Sequence, residues 1–193
     1  MSYTPKILAF AGSLRAQSHN KKVVGVAAEG ARKAGAEVTF LNLKDLPMPI
    51  YDADLVEEHG FDRNATEFQQ ILLAHDGLLI ASPEYNASLP AALKNAIDWA
   101  SRANGEVKLG ATFKGKVAGI MSASPGSFGG IRCLSHLRAI LSILGVFVLP
   151  DEFAISAAHE AFDDNGLHKD EKMHSLLEQH GANVVEILKK MRG

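Results

Sequence analysis

Short apolar runs alternate along the chain with longer segments whose apolar residues recur at helical spacing. Runs such as Ile7-Leu8-Ala9-Phe10-Ala11 and Gly77-Leu78-Leu79-Ile80-Ala81 are apolar at every position, as expected of strands buried on both faces. Five strands are predicted, over Lys6 to Ala11, Glu37 to Asn42, Gly77 to Ser82, Lys116 to Ser122 and Val146 to Leu149. Helices are predicted over Asn20 to Lys33, Arg63 to Ala74, Pro90 to Ser101, Gly130 to Leu144 and Asp170 to Met191. This alternation is the mark of an α/β domain whose parallel sheet is covered by helices on both sides.

Val38-Thr39-Phe40-Leu41-Asn42-Leu43 alternates more than the other strands, which suits a sheet edge with one partly solvated face. Leu46 to Asp54 holds two prolines and reads as an ordered crossing loop that walls one side of any site. Phe162 to Leu167 carries an Asn-Gly turn signal and reads as a surface turn. No repeat, linker or low-complexity tract interrupts the pattern, so residues 1–193 are expected to form a single domain.

At 47% hydrophobic and 22% charged residues, such a chain can bury roughly 70% of the surface it exposes when unfolded. The formal net charge of −2, with lysine and arginine scattered, offers no stripe for nucleic acid. Cys133 is the only cysteine, which excludes an internal disulfide and a cysteine-based zinc site. No segment approaches the ~20 apolar residues of a membrane helix and no secretory core is seen, so the cytoplasm is the expected location. His168, His174 and His180 are spaced six apart, no H-E-x-x-H occurs, and these histidines are expected to be solvated helix residues rather than metal ligands. Cys133 shares an apolar helical face with Leu137, Ile140 and Leu144 and is expected to be buried.

The chemistry is concentrated in three loops, each following a predicted strand. In the first, Gly12 permits a tight turn, the Ser13 and Ser18 hydroxyls and the Asn20 amide can donate to phosphate oxygens, and Arg15 adds a permanent forked charge. The helix that follows contributes unpaired N–H groups and a partial positive charge. The same residues also admit a structural role, with Ser18 capping the helix and Arg15 solvated. Neither Gly-Lys-Ser/Thr nor G-x-G-x-x-G is present, which disfavours a nucleoside triphosphatase and a Rossmann dehydrogenase.

In the second loop, Pro83, Glu84, Tyr85 and Asn86 sit where a planar ring could lie, Tyr85 offering an aromatic face and the backbone offering polar partners. Structural roles are favoured for Ser88 as a helix cap, Pro90 in the first turn, and Trp99 as a core or interface anchor. In the third loop, Ser124, Gly126 and Gly129 belong to a serine- and glycine-rich turn through which backbone can approach a ligand closely. No G-x-S-x-G elbow supplies a serine nucleophile, and no side chain stands out as catalytic.

The runs Gly12-Ser13-Leu14-Arg15-Ala16-Gln17-Ser18-His19-Asn20 and Pro83-Glu84-Tyr85-Asn86-Ala87-Ser88-Leu89-Pro90, continuing through Leu93-Lys94-Asn95 to Asp98-Trp99, resemble the signatures of the NADPH-dependent FMN reductase family. That family comprises flavodoxin-like quinone and chromate reductases, and the resemblance extends from the Gly12 loop to Val146. The chain departs from the pattern at Ala87 and Ala91, where many relatives carry glycine, and at Gln17, which replaces a smaller residue.

The resemblance implies a flavodoxin-like three-layer fold with strand order 2-1-3-4-5 and a ligand beyond the carboxyl ends of strands one and three. It implies FMN as cofactor, with Ser13, Arg15, Ser18 and Asn20 on the phosphate, Pro83, Glu84, Tyr85 and Asn86 flanking the isoalloxazine, and Ser124, Gly126 and Gly129 along its other edge. The implied activity is a ping-pong transfer of hydride from NADPH or NADH to FMN and on to a quinone, chromate, azo compound or other small electrophile, in a homodimer or homotetramer. A flavodoxin-like electron carrier reduced by a partner protein is the alternative, disfavoured by the nearly balanced charge and by the lack of a threonine-rich phosphate loop. A module that binds a nucleotide without turning it over is a second alternative.

Overall fold

The structure, a computed structural model, describes residues 3–192. Five parallel strands, β1 (Lys6–Ala11), β2 (Glu37–Asn42), β3 (Gly77–Ala81), β4 (Val117–Ala123) and β5 (Phe147–Ile155), form one sheet in the order β2-β1-β3-β4-β5. The helices are α1 (His19–Lys33), α2 (Ala53–His59), α3 (Arg63–Leu73), α4 (Ala91–Ser101), α5 (Ile131–Ile143) and α6 (Glu171–Arg192). This is the flavodoxin-like arrangement, with β2 at one edge as its alternating pattern predicts.

Successive strand residues face opposite sides of a sheet, so β1 and β3 each feed two cores. Ile7, Ala9, Ala11, Leu79 and Ala81 pack with Val23, Val24 and Ala27 of α1 and Leu177, Val184 and Leu188 of α6. Leu8, Phe10, Leu78 and Ile80 pack with Phe68 and Leu72 of α3, Leu93 and Ile97 of α4, and Leu134 and Leu137 of α5. Burial on both faces is why Ile7–Ala11 and Gly77–Ala81 carry no polar positions.

Ala11 stands level with Ala81, and Ala81 with Met121, so the chain leaves β1, β3 and β4 along one edge of the sheet. The strand order reverses between β1 and β3, and the crevice outside that point is where open α/β sheets bind ligands. All three loops singled out in the sequence open there.

Most predicted boundaries fall within a residue of those observed, and three expectations need correction. The fifth strand runs to Ile155 rather than Leu149. Pro150 and the acidic pair behind it broke the apolar pattern, yet the register skips from Ala118 opposite Val148 to Ile120 opposite Glu152, and a bulge on an edge strand tolerates a proline. Second, the crossing segment is shorter than expected, because Ala53–His59 is a helix capped by Asp52, whose carboxylate accepts from Asp54 N at 2.9 Å.

Third, His180 is buried rather than solvated. It lies on the inner face of α6 beside Leu177 and Val184, with its ring against Phe153 at a centroid distance of 5.0 Å. A side chain on Gly119 would meet the His180 Nε2 at 2.8 Å, so the imidazole fills the gap at the β4 register shift. Neither ring nitrogen has a hydrogen-bond partner of ordinary geometry, and burial pushes the pKa down to about 4. Cys133 is fully buried as expected, and burial raises its thiol pKa.

Candidate functional site

The first loop leaves β1 through Gly12, whose N–H donates to the Ala81 carbonyl at 2.8 Å and so ties it to the end of β3. A Cβ here would lie 2.8 Å from the Leu93 side chain, so glycine is required by the close approach of α4. Ser18 caps α1, its Oγ accepting from Asn20 N at 3.3 Å, and Ser13 Oγ accepts from Arg15 N at 3.3 Å. In the third loop Ser124 Oγ accepts from Gly126 N at 3.2 Å. A hydroxyl that accepts from a backbone N–H keeps its own proton to donate. These three oxygens therefore point donor capacity into the pocket they share.

That pocket, about 110 Å³, brings together Ser13, Arg15, Ser18, Asn20, Pro83, Glu84, Tyr85 and Ser124, along with His19, Ala123 and Pro125. Asn86, Gly126 and Gly129 lie outside its lining, on the adjoining turns. Asn20 is buried and its amide is already engaged: Nδ2 donates to the Ala123 carbonyl and Oδ1 accepts from Ala123 N, both at 2.9 Å. It locks the start of α1 to the end of β4, and so fixes the first loop against the third.

His19 is not marked in the sequence, because a lone histidine carries no spacing signal; its place as the first residue after the Ser18 cap is the available clue. Its Nδ1 is buried without a partner at the edge of the pocket. Burial, followed by the charges of Arg15, Lys22 and His159, lowers its pKa. The positive field that disfavours a protonated His19 is one that favours an anion.

The second loop is a two-residue hairpin in which Tyr85 and Ser88 exchange N–H···O bonds of 3.0 Å. Asn86 and Ala87 between them both adopt left-handed backbone, with φ of 50° and 63°. Positive φ at both central positions is the mirror-type turn that favours Asn-Gly, which explains Asn86 and makes Ala87 a strained occupant. The turn presents Tyr85 to solvent, 55% exposed. Ser88 is not the cap of α4; Pro90 holds that position without a side-chain bond, and Ser88 Oγ instead pairs with His136 Nδ1 at 2.9 Å.

Glu84 directs its carboxylate to the start of α5. Oε2 accepts from Arg132 N at 3.0 Å and Cys133 N at 3.2 Å, and Oε1 accepts from Arg132 Nε at 2.7 Å and from Arg132 Nη2. Burial works to raise this carboxyl, but the Arg132 and Cys133 bonds together with the Arg132 charge outweigh it and hold the pKa below the usual range. The close fit depends on Gly130, at φ 92°, where a Cβ would fall 1.9 Å from Ser122 Oγ.

Asn95 and Trp99 hold the crossing loop against α4. Asn95 Nδ2 donates to the Pro49 carbonyl at 2.8 Å, its Oδ1 accepts from Tyr51 N at 2.9 Å, and Trp99 Nε1 donates to the same Pro49 carbonyl at 2.7 Å. Tyr51 and Phe61 pack edge-on against the buried indole. The four-residue spacing of Asn95 and Trp99 puts both on one helical face. Trp99 is thus the anchor expected, and Asn95 a partner that the sequence alone did not reveal.

Residues 5–160 match the model of the family described as NADPH-dependent FMN reductase. The chain is 37% identical, over the full length of both, to a NAD(P)H-dependent FMN reductase of Pseudomonas aeruginosa. It is 38% identical over 150 residues, covering 77% of this chain and 76% of the other, to a quinone reductase of Escherichia coli. Among solved structures, the flavoenzyme NAD(P)H:(acceptor) oxidoreductase of Paracoccus denitrificans superposes with a TM-score of 0.80 at 29% identity, over 97% of this chain and 98% of that one. With the two sequence signatures meeting at one pocket and the match spanning most of its length, the chain belongs to the NADPH-dependent FMN reductase family.

Proposed function

We propose that the protein is an FMN-dependent NAD(P)H oxidoreductase that passes electrons to a quinone or a similar small electrophile. The observation that carries the reading is the convergence of Ser13, Ser18 and Ser124 hydroxyls, each with donor capacity to spare, beside Arg15 at the N-terminus of α1. Such a set suits a phosphate monoester. The buried, unpartnered Nδ1 of His19 in the same electropositive pocket fits an anion there.

Ser13, Arg15, Ser18 and Ser124 would hold the FMN phosphate, with Asn20 fixing the loops around it. Pro83, Tyr85 and Asn86 would flank the isoalloxazine, and Gly126 and Gly129 would border its far edge. Bound FMN supplies two-electron chemistry, accepting hydride from a nicotinamide and passing electrons onward. The side chains bind and orient: Tyr85 offers a stacking face, and the Asn20 and Glu84 contacts keep the three loops in register. An open site of this kind supports a ping-pong cycle in which nicotinamide and acceptor visit in turn. Quinone reductase relatives favour a quinone as acceptor, with chromate and azo compounds as further candidates.

Leu14, Ile50, Tyr85, Phe128 and Ile131 leave large apolar surface exposed on or beside the site loops. A homodimer or homotetramer that covers part of it is the proposed assembly. No helix among the described residues is long and apolar enough to cross a membrane, and a cytoplasmic location is the proposed one. Binding of FMN and of riboflavin, followed by absorbance, tests the site. Arg15→Ala should weaken FMN about 10- to 150-fold, the equivalent of roughly 1.5–3 kcal/mol for a charge-assisted bond, and leave riboflavin nearly unchanged. Equal effects on both ligands would remove Arg15 from the phosphate site.

A further inference from the structure

The position of Glu84 raises a question that the family resemblance does not answer. It lies within the ring loop, next to Tyr85, yet its carboxylate is spent on the first turn of α5. Its side chain is 6% exposed, whereas that of Arg132 is 53% exposed. The carboxylate thus fills the N-terminal anion position of a thirteen-residue helix with an internal group. Donors and dipole that could have served a bound anion are already neutralised.

The same contact fixes two loops at once. Glu84 ends the short tether from β3, and Arg132 and Cys133 begin the helix that the third loop enters through Gly129 and Gly130. One turn further along α5, His136 Nδ1 pairs with the Ser88 hydroxyl. The hairpin carrying Tyr85 is therefore docked on α5 at both of its ends.

We propose that Glu84 is a positioning and potential-setting residue: it holds the ring loop on α5 and neutralises the helix N-terminus and Arg132, lowering the preference of the site for reduced over oxidised FMN. The proposal rests on the assignment of FMN to this pocket. Its logic is electrostatic. Reduction adds negative charge to the flavin, so an uncompensated cation and helix N-terminus nearby favour the reduced form, and an uncompensated carboxylate disfavours it.

Two substitutions separate this role from mere support of the fold. Glu84→Gln keeps the shape and part of the hydrogen bonding while removing the negative charge. Arg132→Met removes the cation and leaves the carboxylate on the two backbone N–H groups. Loosening of the fold would weaken FMN binding in both variants without imposing opposite signs on the potential; the charge argument imposes them.

The test measures the midpoint potential of FMN bound to wild-type, E84Q, R132M and E84D proteins, with FMN dissociation constants from absorbance titration. E84Q is expected to favour reduced FMN by about tenfold relative to wild type, a shift of about 30 mV to more positive potential for a two-electron couple. R132M is expected to shift it to more negative values, and E84D, which retains the charge, to restore a value near wild type. Equal potentials in all four proteins, or shifts of the same sign in E84Q and R132M, would overturn the proposal. Should E84Q fail to fold, the direction of the R132M shift decides the matter. Wild-type protein that binds no FMN would instead overturn the site assignment beneath it.

Discussion

Lowering the pH should destabilise this protein through His180, and the size of the effect follows from where the imidazole sits. The ring is buried between α6 and the β4–β5 bulge, packed on Phe153 and filling the space beside Gly119, with no hydrogen bond of ordinary geometry on either nitrogen. Burial pushes its pKa from the ordinary 6.5 to about 4; attraction to Asp151 and the nearby Ile120 backbone oppose the shift, and the charge of Arg138 adds to it. The unfolded chain therefore binds a proton at His180 across the interval from 6.5 down to about 4, while the folded protein does not. Stability from this site is fully present above pH 6.5 and lost as the pH falls toward 4. At about 1.4 kcal/mol per pH unit the full loss is roughly 3 kcal/mol, of which about 2 is reached by pH 5. The assay is urea unfolding of wild-type and His180→Leu proteins from pH 7.5 to pH 4.5. The two curves should converge as the pH falls if leucine is the poorer fit at neutral pH, or separate in favour of leucine if it is the better one. Either way the difference between them must change by about 2 kcal/mol between pH 7.5 and 5. Parallel curves would refute a buried neutral His180.

Other substitutions probe the loops. Ala87→Gly should relieve the left-handed strain of the hairpin by about 1 kcal/mol, raising Tm by about 2–4 °C in a thermal melt; no increase would mean that the strain is absorbed elsewhere. Gly130→Ala places a methyl group on Ser122 at an unfavourable φ and should cost more than about 2 kcal/mol in urea unfolding while weakening FMN. Asn95→Ala removes the bonds to Pro49 and Tyr51 and should cost about 1–3 kcal/mol, with faster proteolytic nicking between Pro47 and Asp52 as the sensitive readout.

The layers of the fold were legible because strands buried on both sides must be apolar at every position, as Ile7 to Ala11 and Gly77 to Ala81 are. Strand order came from the resemblance, since periodicity carries no information on which strands are neighbours. The far half of β5 is not legible in the sequence, because a proline and two acids are acceptable only at a bulged edge, a condition set by the partner strand. The three loops were visible from their glycines, serines and placement after strands. The destinations of individual side chains were not: Asn20 reaches across 103 positions to Ala123, and Glu84 spans 48 to Arg132. Such pairings arise only when the sheet brings α1, β4 and α5 together. The burial of His180 is hidden for the same reason, because it depends on a register shift in another strand.

The proposed function requires that the pocket at the ends of β1, β3 and β4 hold FMN that a nicotinamide reduces. The most direct measurement adds FMN to the purified protein, records the visible spectrum, and then adds NADPH or NADH in the absence of oxygen. Bound flavin that bleaches rapidly on addition of the nicotinamide is the expected result. Binding without bleaching would point to an electron carrier, and the absence of binding would contradict the assignment of all three loops.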